Sequence, residues 1–371
     1  MQYTNEVLEK MEKKRSYNKK YSDFFYRWSL EEKALSKNNS LETIGSLNLA
    51  RRLQRKADRI YNCMNLWDWD LYEKNKLIDL KRVNRCNNNR VCPNCKKLDL
   101  AKAIHKFNPL FNDLITKQGY YPYLATFTIP NCSASELKST IKKLFKDFYK
   151  FYLGFSSNDN RAIKFRNLHF VAGLRVLEIT YNKENDTYHP HLHCILFSDT
   201  SYNELDFKKD ILGFYSSKRK TYNKHSLNDI NISKVWTLIN QGDRLSKKNY
   251  DSLSSDPRDL LQCDIRELDE RGILEVLKYT FKDTDIANYE VFKVILSAIE
   301  NLRLRQGYGE LYNISFEDVD VGELQNISDF LIEKENPSSL LTREIRELVT
   351  TYKNYTKISR FVPNTFNDII D

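Results

Sequence analysis

Three of the chain's six histidines fall within five residues, in Tyr188-His189-Pro190-His191-Leu192-His193-Cys194-Ile195-Leu196-Phe197. The run ends apolar and reads as a β-strand. Strand alternation then sends His189, His191 and His193 to one face and Leu192 to a core. Imidazoles at i and i+2 on a rigid strand suit a metal ion, or a phosphate. A second cluster lies upstream, in Arg85-Cys86-Asn87-Asn88-Asn89-Arg90-Val91-Cys92-Pro93-Asn94-Cys95-Lys96-Lys97. Cys92 and Cys95 form a CxxC whose proline suits the turn of a zinc knuckle, and Cys86 adds a third thiolate. Cys63, or His105, would complete a tetrahedron. A redox CxxC is the rival, but it usually stands without a third nearby cysteine. A third group sits at 272–283, where Glu275 and Tyr279 are i and i+4 and so share a helical face. Lys278 and Lys282 form a parallel pair. On spacing alone this patch reads as a packed surface tyrosine with a glutamate neighbour.

Positioning these groups falls to a hairpin and its flanking helices. Residues 169–180 read as a strand, 182–186 as a turn, and the histidine segment as the return strand. Leu177 and Ile179 point to the core, so Glu178 faces the side of His191 and His193 and becomes a third ligand candidate. Another strand is expected over 121–131, ended by Pro130-Asn131. Helices are expected over 98–118, over 135–153 (with Leu137, Ile141, Leu144, Phe148 and Phe151 at helical spacing), and over 203–215, 272–283, 290–302 and 339–352. Short strands are expected at 230–239 and 264–268, a basic loop at 216–226 and a turn at 307–309. Residues 1–37 read as a helix or a partly disordered arm. Residues 46–65 form an amphipathic helix with Leu49, Leu53, Ala57 and Ile60 on one side. Its other side carries Arg51, Arg52, Arg55, Lys56 and Arg59, a solvated face or a nucleic-acid contact.

The chain has 371 residues, enough for one to three domains, and a net charge of +9. The charge is uneven: residues 81–106 hold eight basic residues and one acid, while 315–335 hold seven acids and one lysine. Localised positive charge among 20 Phe and 23 Tyr fits a nucleic-acid binder. Seven cysteines, a polar opening and no apolar run of membrane-spanning length lead us to expect a cytoplasmic protein with reduced thiols.

Taken in order, these motifs resemble the plasmid rolling-circle replication initiators, the HUH endonuclease group of small Gram-positive plasmids. Phe127-Thr128-Ile129-Pro130-Asn131 is similar to that family's first motif, His191-Leu192-His193 to its HUH element, and Glu275-x-x-x-Tyr279 to its catalytic helix. The Cys86/Cys92/Cys95 pattern also resembles this group. The match spans roughly 60–310.

The resemblance implies an α+β fold, with a central antiparallel sheet, flanking helices, and zinc-binding and helical extensions. Read together with the charge pattern and the helical periodicity, the chain is expected to divide into a basic helical segment (1–60), a zinc-binding DNA-contact subdomain (61–118), a nicking and joining domain (119–310) and a helical extension (311–371), the first and last lying outside the resemblance. The resemblance implies a site-specific nickase and strand transferase acting on single- and double-stranded origin DNA. His191, His193 and Glu178 would hold Mn²⁺ or Mg²⁺, with His189 a ligand or a neighbour of one. Cys63, Cys86, Cys92 and Cys95 would hold structural Zn²⁺. Tyr279 would be the nucleophile, Lys282 or Lys278 its cation, and Glu275 the general base that ends the cycle. Arg51, Arg52, Arg55, Arg85, Arg90, Lys96, Lys97 and Lys278 would meet DNA. A host helicase and polymerase are implied as partners, and a homodimer is compatible with the family. The alternatives are a relaxase or transposase of the same superfamily, or a zinc-containing DNA-binding regulator without catalysis.

Overall fold

The structure, a computed structural model, describes residues 2–36, 43–72, 77–156, 169–199, 212–216, 221–225, 227–268, 273, 276–277, 286, 288–312, 346–351 and 356–361. The chain is α+β and divides into two compact units, Met1–His105 with Phe316–Asp371, and Lys106–Ser315.

In the first unit, helix α1 (Gln2–Leu35) packs on α2 (Thr43–Tyr61). Tyr21, Phe25 and Trp28 of α1 are buried, as are Leu53, Ala57 and Ile60 of α2, three of the four apolar positions read from the sequence. The Ser22 hydroxyl donates to the Ala57 carbonyl at 3.0 Å. This is a helix pair held by one apolar stripe on each partner. Strands β1 (Leu66–Tyr72) and β2 (Leu77–Val83) follow, then helix α3 (Pro93–Thr116). A four-stranded sheet forms when the distant strands β10 (Arg346–Thr351) and β11 (Thr356–Phe361) join in the order β10–β11–β1–β2.

The second unit is organised on a five-stranded sheet of β3 (Tyr121–Phe127), β4 (Phe170–Asn182), β5 (Thr187–Ser198), β8 (Cys263–Glu267) and β9 (Arg305–Gly309). Its order is β8–β3–β5–β4–β9 and every pairing is antiparallel. Cross-strand partners share a face, so Phe127, Leu192 and Leu177 line one side of the sheet. Helix α4 (Leu137–Ser156) and helix α5 (Leu227–Gln241) cover that side. Phe127 meets Phe151 at 4.7 Å, Trp236 at 5.0 Å and Phe148 at 5.2 Å between ring centroids, all edge to face. The Trp236 indole N–H donates to the Thr128 carbonyl at 2.7 Å, so its one polar atom is satisfied. A two-stranded ribbon of β6 (Leu212–Ser216) and β7 (Thr221–His225), the short helix α6 (Lys247–Ser252) and helix α7 (Tyr289–Ile299) complete the unit.

Five local expectations are corrected. Residues 230–239 are helical, within α5, because Ile232, Val235, Trp236 and Ile239 recur at helical spacing and all four are buried. The helix expected over 203–215 is a strand at Leu212–Ser216, where Phe214 and Tyr215 pair with Asn223 and Tyr222; residues 203–211 lie outside the described residues. The pairing also turns much of the expected basic loop at 216–226 into β7. The helix expected over 339–352 is a strand at Arg346–Thr351, a stretch rich in β-branched residues whose partner β11 lies in the sequence just beyond; residues 339–345 and 352 lie outside the described residues. The turn expected at 307–309 is the edge strand β9. A Cβ on Gly307 would strike the Leu311 carbonyl, and Gly309 (φ 56°) lies against the Val171 carbonyl, so both glycines serve close backbone approach.

Phe127→Ala removes the ring shared by three aromatic partners. Urea unfolding should show a loss of about 3–5 kcal/mol, against less than 1.5 kcal/mol for the volume-conserving Leu192→Met.

Candidate functional site

The β4–β5 hairpin sets Glu178 directly opposite His191, with His193 two residues on and opposite Val176. The turn that fixes this register is built locally. Asn182 Oδ1 accepts the Glu184 backbone N–H at 3.0 Å, Asp186 takes φ 49°, and the Tyr181 hydroxyl donates to Asp186 Oδ1 at 2.9 Å. His193 Nε2 then lies 2.8 Å, and His191 Nε2 3.4 Å, from Glu178 Oε2. Adjacent ligands of an octahedral ion with bonds near 2.1 Å stand ~3.0 Å apart, so this spacing fits one cation. Burial alone would push the Glu178 carboxyl up, but its contacts with His191 and His193 hold it well below the usual carboxylate range.

Neighbouring strands orient the rings. The His189 carbonyl can only accept, so His191 Nδ1 donates to it at 3.2 Å, which turns Nε2 toward Glu178. His193 Nδ1 lies 3.3 Å from the Thr126 hydroxyl, on the β3 residue paired with His193. Such partners of the second nitrogen fix ring orientation in metal sites. His189 faces the same side, paired with Thr180, but stays outside the three-ligand cluster. Burial and the neighbouring His191 lower its pKa. It borders a cavity of about 620 Å³ lined also by Asn131, Thr180, Tyr181 and Lys183.

The second cluster lies in the first unit. Cys63, Cys86, Cys92 and Cys95 bring their sulfurs within 4.8 Å of one another, with Sγ–Sγ distances of 3.5 Å (Cys86–Cys95), 3.6 Å (Cys63–Cys92) and 3.7 Å (Cys63–Cys95). Zinc–thiolate bonds of 2.3 Å at tetrahedral angles give ~3.8 Å. Cys63 is thus the fourth member, and His105 is exposed and apart. Cys95 sits in the first turn of α3, where the helix N-terminus favours negative charge. Its thiol is held well below the usual range by hydrogen bonds from Cys63, Cys86 and Cys92, whereas contact with Cys86 pushes Cys63 up and contact with Cys63 pushes Cys92 up. Four thiols packed at this spacing suit a single dication, which binds cysteine in its deprotonated form.

Of the other expected residues, Arg51, Arg52 and Arg55 are exposed on α2, and Arg85, Arg90 and Lys97 are half-buried. Lys96 is corrected: at 2 % exposure it is not presented to a phosphate. Glu275, Lys278, Tyr279 and Lys282 lie outside the described residues. Their neighbours Val276 and Leu277 are helical and buried, and Arg305 Nη2 donates to the Leu277 carbonyl at 3.0 Å. Arg305 pairs with Val176, which pairs with His193 on its other side, so all three belong to one row of the sheet. Sequence reasoning missed Thr126 and Arg305. The adjacent Phe127-Thr128 motif pointed near Thr126; no local signal marked Arg305.

Among the described residues, no helix is long and apolar enough to cross a membrane. An antiparallel sheet displaying His-x-His against a carboxylate is the architecture of the HUH endonuclease fold. A family model described as a replication protein matches residues 78–213. Proteins of similar sequence, each named Protein rep, occur in Bacillus amyloliquefaciens (24% identical, covering 76% of this chain and 78% of the relative) and Streptococcus pneumoniae (26%, covering 65% and 67%). One from Staphylococcus aureus is 30% identical over 35% of this chain and 51% of its own. No solved structure matches. The resemblance is borne out: the family model and these relatives support a plasmid rolling-circle replication initiator.

The depressed Glu178 carboxyl predicts a sign. Its contribution to stability is complete above its ordinary value of 4.5 and is lost as pH falls below that toward the depressed folded-state value. In metal-free protein, urea unfolding should show Glu178→Gln less stable than wild type at neutral pH. The gap should close in acid, and an undiminished gap there would contradict this assignment.

Proposed function

We propose that this initiator nicks one strand of its origin by metal-dependent transesterification, with Tyr279 as the nucleophile. The observation that carries this reading is the convergence of Glu178, His191 and His193 on one sheet face, at spacings that fit a single cation. Two imidazoles and a carboxylate leave open positions, and a bound Mn²⁺ or Mg²⁺ would supply Lewis-acid polarisation of the scissile phosphate. Thr126 and the His189 carbonyl hold the two rings so that Nε2 of each faces Glu178.

The Tyr279 oxygen attacks phosphorus, and the 3′-oxygen leaves and takes up a proton. A 5′-phosphotyrosyl link and a 3′-OH result, the latter a primer for a host polymerase. A phenol with a pKa near 10 reacts poorly while protonated, so Lys282 or Lys278 stabilises the phenolate. The covalent link retains the phosphodiester for later strand transfer. Glu275 acts as general base on water in the terminating cleavage. Arg305 supports this arrangement from the sheet side. Its Nη2 donates to the Leu277 carbonyl at 3.0 Å.

The four cysteines would hold structural Zn²⁺. Phosphate contacts fall to Arg51, Arg52, Arg55, Arg85, Arg90 and Lys97, with Lys278, on single- and double-stranded origin DNA, and a host helicase follows the nick. The homodimer and the four-part division into 1–60, 61–118, 119–310 and 311–371 belong to the same proposal.

A labelled single-stranded origin oligonucleotide with Mn²⁺ tests it. His191→Ala should abolish cleavage, and undiminished cleavage would remove the metal site from the mechanism. Glu275→Ala should still nick but accumulate unresolved covalent product; equal loss of both steps would refute the division of roles.

A further inference from the structure

We propose that Asn18 of α1 is the outer hydrogen-bond donor of the four-cysteine cluster, its Nδ2–H donating to the Cys92 sulfur when that sulfur binds metal. The proposal rests on reading the cluster as a metal site, and it adds a member from a different helix.

Asn18 is fully buried, and its Oδ1 lies 3.3 Å from Cys92 Sγ, accepting from the thiol. Among the described residues, its Nδ2 has no hydrogen-bond partner. A buried donor without a partner is unfavourable and calls for an explanation. A metal-bound thiolate carries no hydrogen, so it can no longer donate to Oδ1. An oxygen held against that sulfur would be repelled. Turning the amide over exchanges oxygen and nitrogen with little change in shape. The orphaned N–H then points at the thiolate.

The other three sulfurs support this assignment. Cys63 Sγ accepts the Cys86 backbone N–H and Cys86 Sγ the Asn88 N–H, each at 3.4 Å. Cys95 accepts a backbone hydrogen bond from Asn87. Asn87 has φ 53°, the left-handed conformation that turns the loop around the sulfurs. Cys92 is the fourth sulfur, and the polar group beside it is the Asn18 amide. The 3.3 Å contact already matches the N–H···S distances within the cluster. Four thiolates on one dication leave a net negative charge, and each N–H···S bond spreads part of it. Asn18 lies four residues before Ser22, whose hydroxyl fastens α1 to α2. Metal loading would therefore fix α1 at a second point, beside the helix that exposes Arg51, Arg52 and Arg55.

The test loads the full chain, labelled with ¹⁵N-asparagine, with ¹¹³Cd. The expected result is a tetrathiolate cadmium resonance and a coupling from one asparagine side-chain N–H to cadmium, absent in Asn18→Asp. A tetrathiolate resonance with no such coupling overturns the Asn18 assignment while leaving the metal site intact. Absence of the resonance overturns the metal reading and Asn18 with it. Zinc release to a chelator gives a second readout. Asn18→Asp, which keeps the shape but replaces the donor by a charge, should release zinc about 10–100-fold faster than wild type, with the apolar Asn18→Leu between them. Release from Asn18→Asp at or below the wild-type rate overturns the proposal.

Discussion

The pairing of Glu178 with His191 across β4 and β5 is the constraint on which the candidate site depends. Strand side chains alternate, so a slip of one residue would exchange the two faces. Leu177 and Leu192 would then stand where the carboxylate and imidazole stand, and the polar groups would enter the aromatic core around Phe127. The core therefore enforces the register from one side of the sheet, while the Asn182 and Asp186 turn enforces it from the end. The carboxylate is stabilised as an ion by the two rings it faces, and those rings are oriented by Thr126 and by the backbone of β5.

The two clusters differ in donor chemistry in a way that separates their tasks. Four buried cysteine sulfurs at tetrahedral spacing could hold a metal in a closed, soft site that leaves no position for substrate. Two imidazoles and a carboxylate, half-buried at a sheet face beside an open cavity, leave positions free. The first suits cross-linking of segments that are short of other core, binding the end of α2, the loop at Cys86 and the start of α3. The second suits exchange of a phosphate ligand.

Much of this was legible in the sequence because its signals are local. Three histidines at period two, a short polar turn and an isolated acid between Leu177 and Ile179 are enough to place the triad. The cysteine spacing likewise points to a knuckle, and the fourth sulfur lay within the range weighed. What was not legible depends on distant partners. Thr126 and Arg305 acquire their roles only through pairing across β3 and β9. The strand at Arg346–Thr351 depends on its place in a sheet with β1, far away in sequence. Residues 230–239 form a helix although their isoleucines and valine favour strands locally, because their helical spacing is satisfied against α4 and the sheet. Lys96 looked like a phosphate contact because charge in a sequence carries no record of burial.

The central claim is that the sheet-borne triad and Tyr279 act on one phosphate. Mapping the covalent adduct tests it most directly. The full chain is incubated with single-stranded origin oligonucleotide, with and without Mn²⁺, then digested with nuclease and trypsin and analysed by mass spectrometry. Cleavage after Lys278 and Lys282 isolates Tyr279-Thr280-Phe281-Lys282. A 5′-nucleotide on this peptide, formed only with the metal, is the expected result. An adduct on another residue, or the same adduct formed equally without metal, would contradict it.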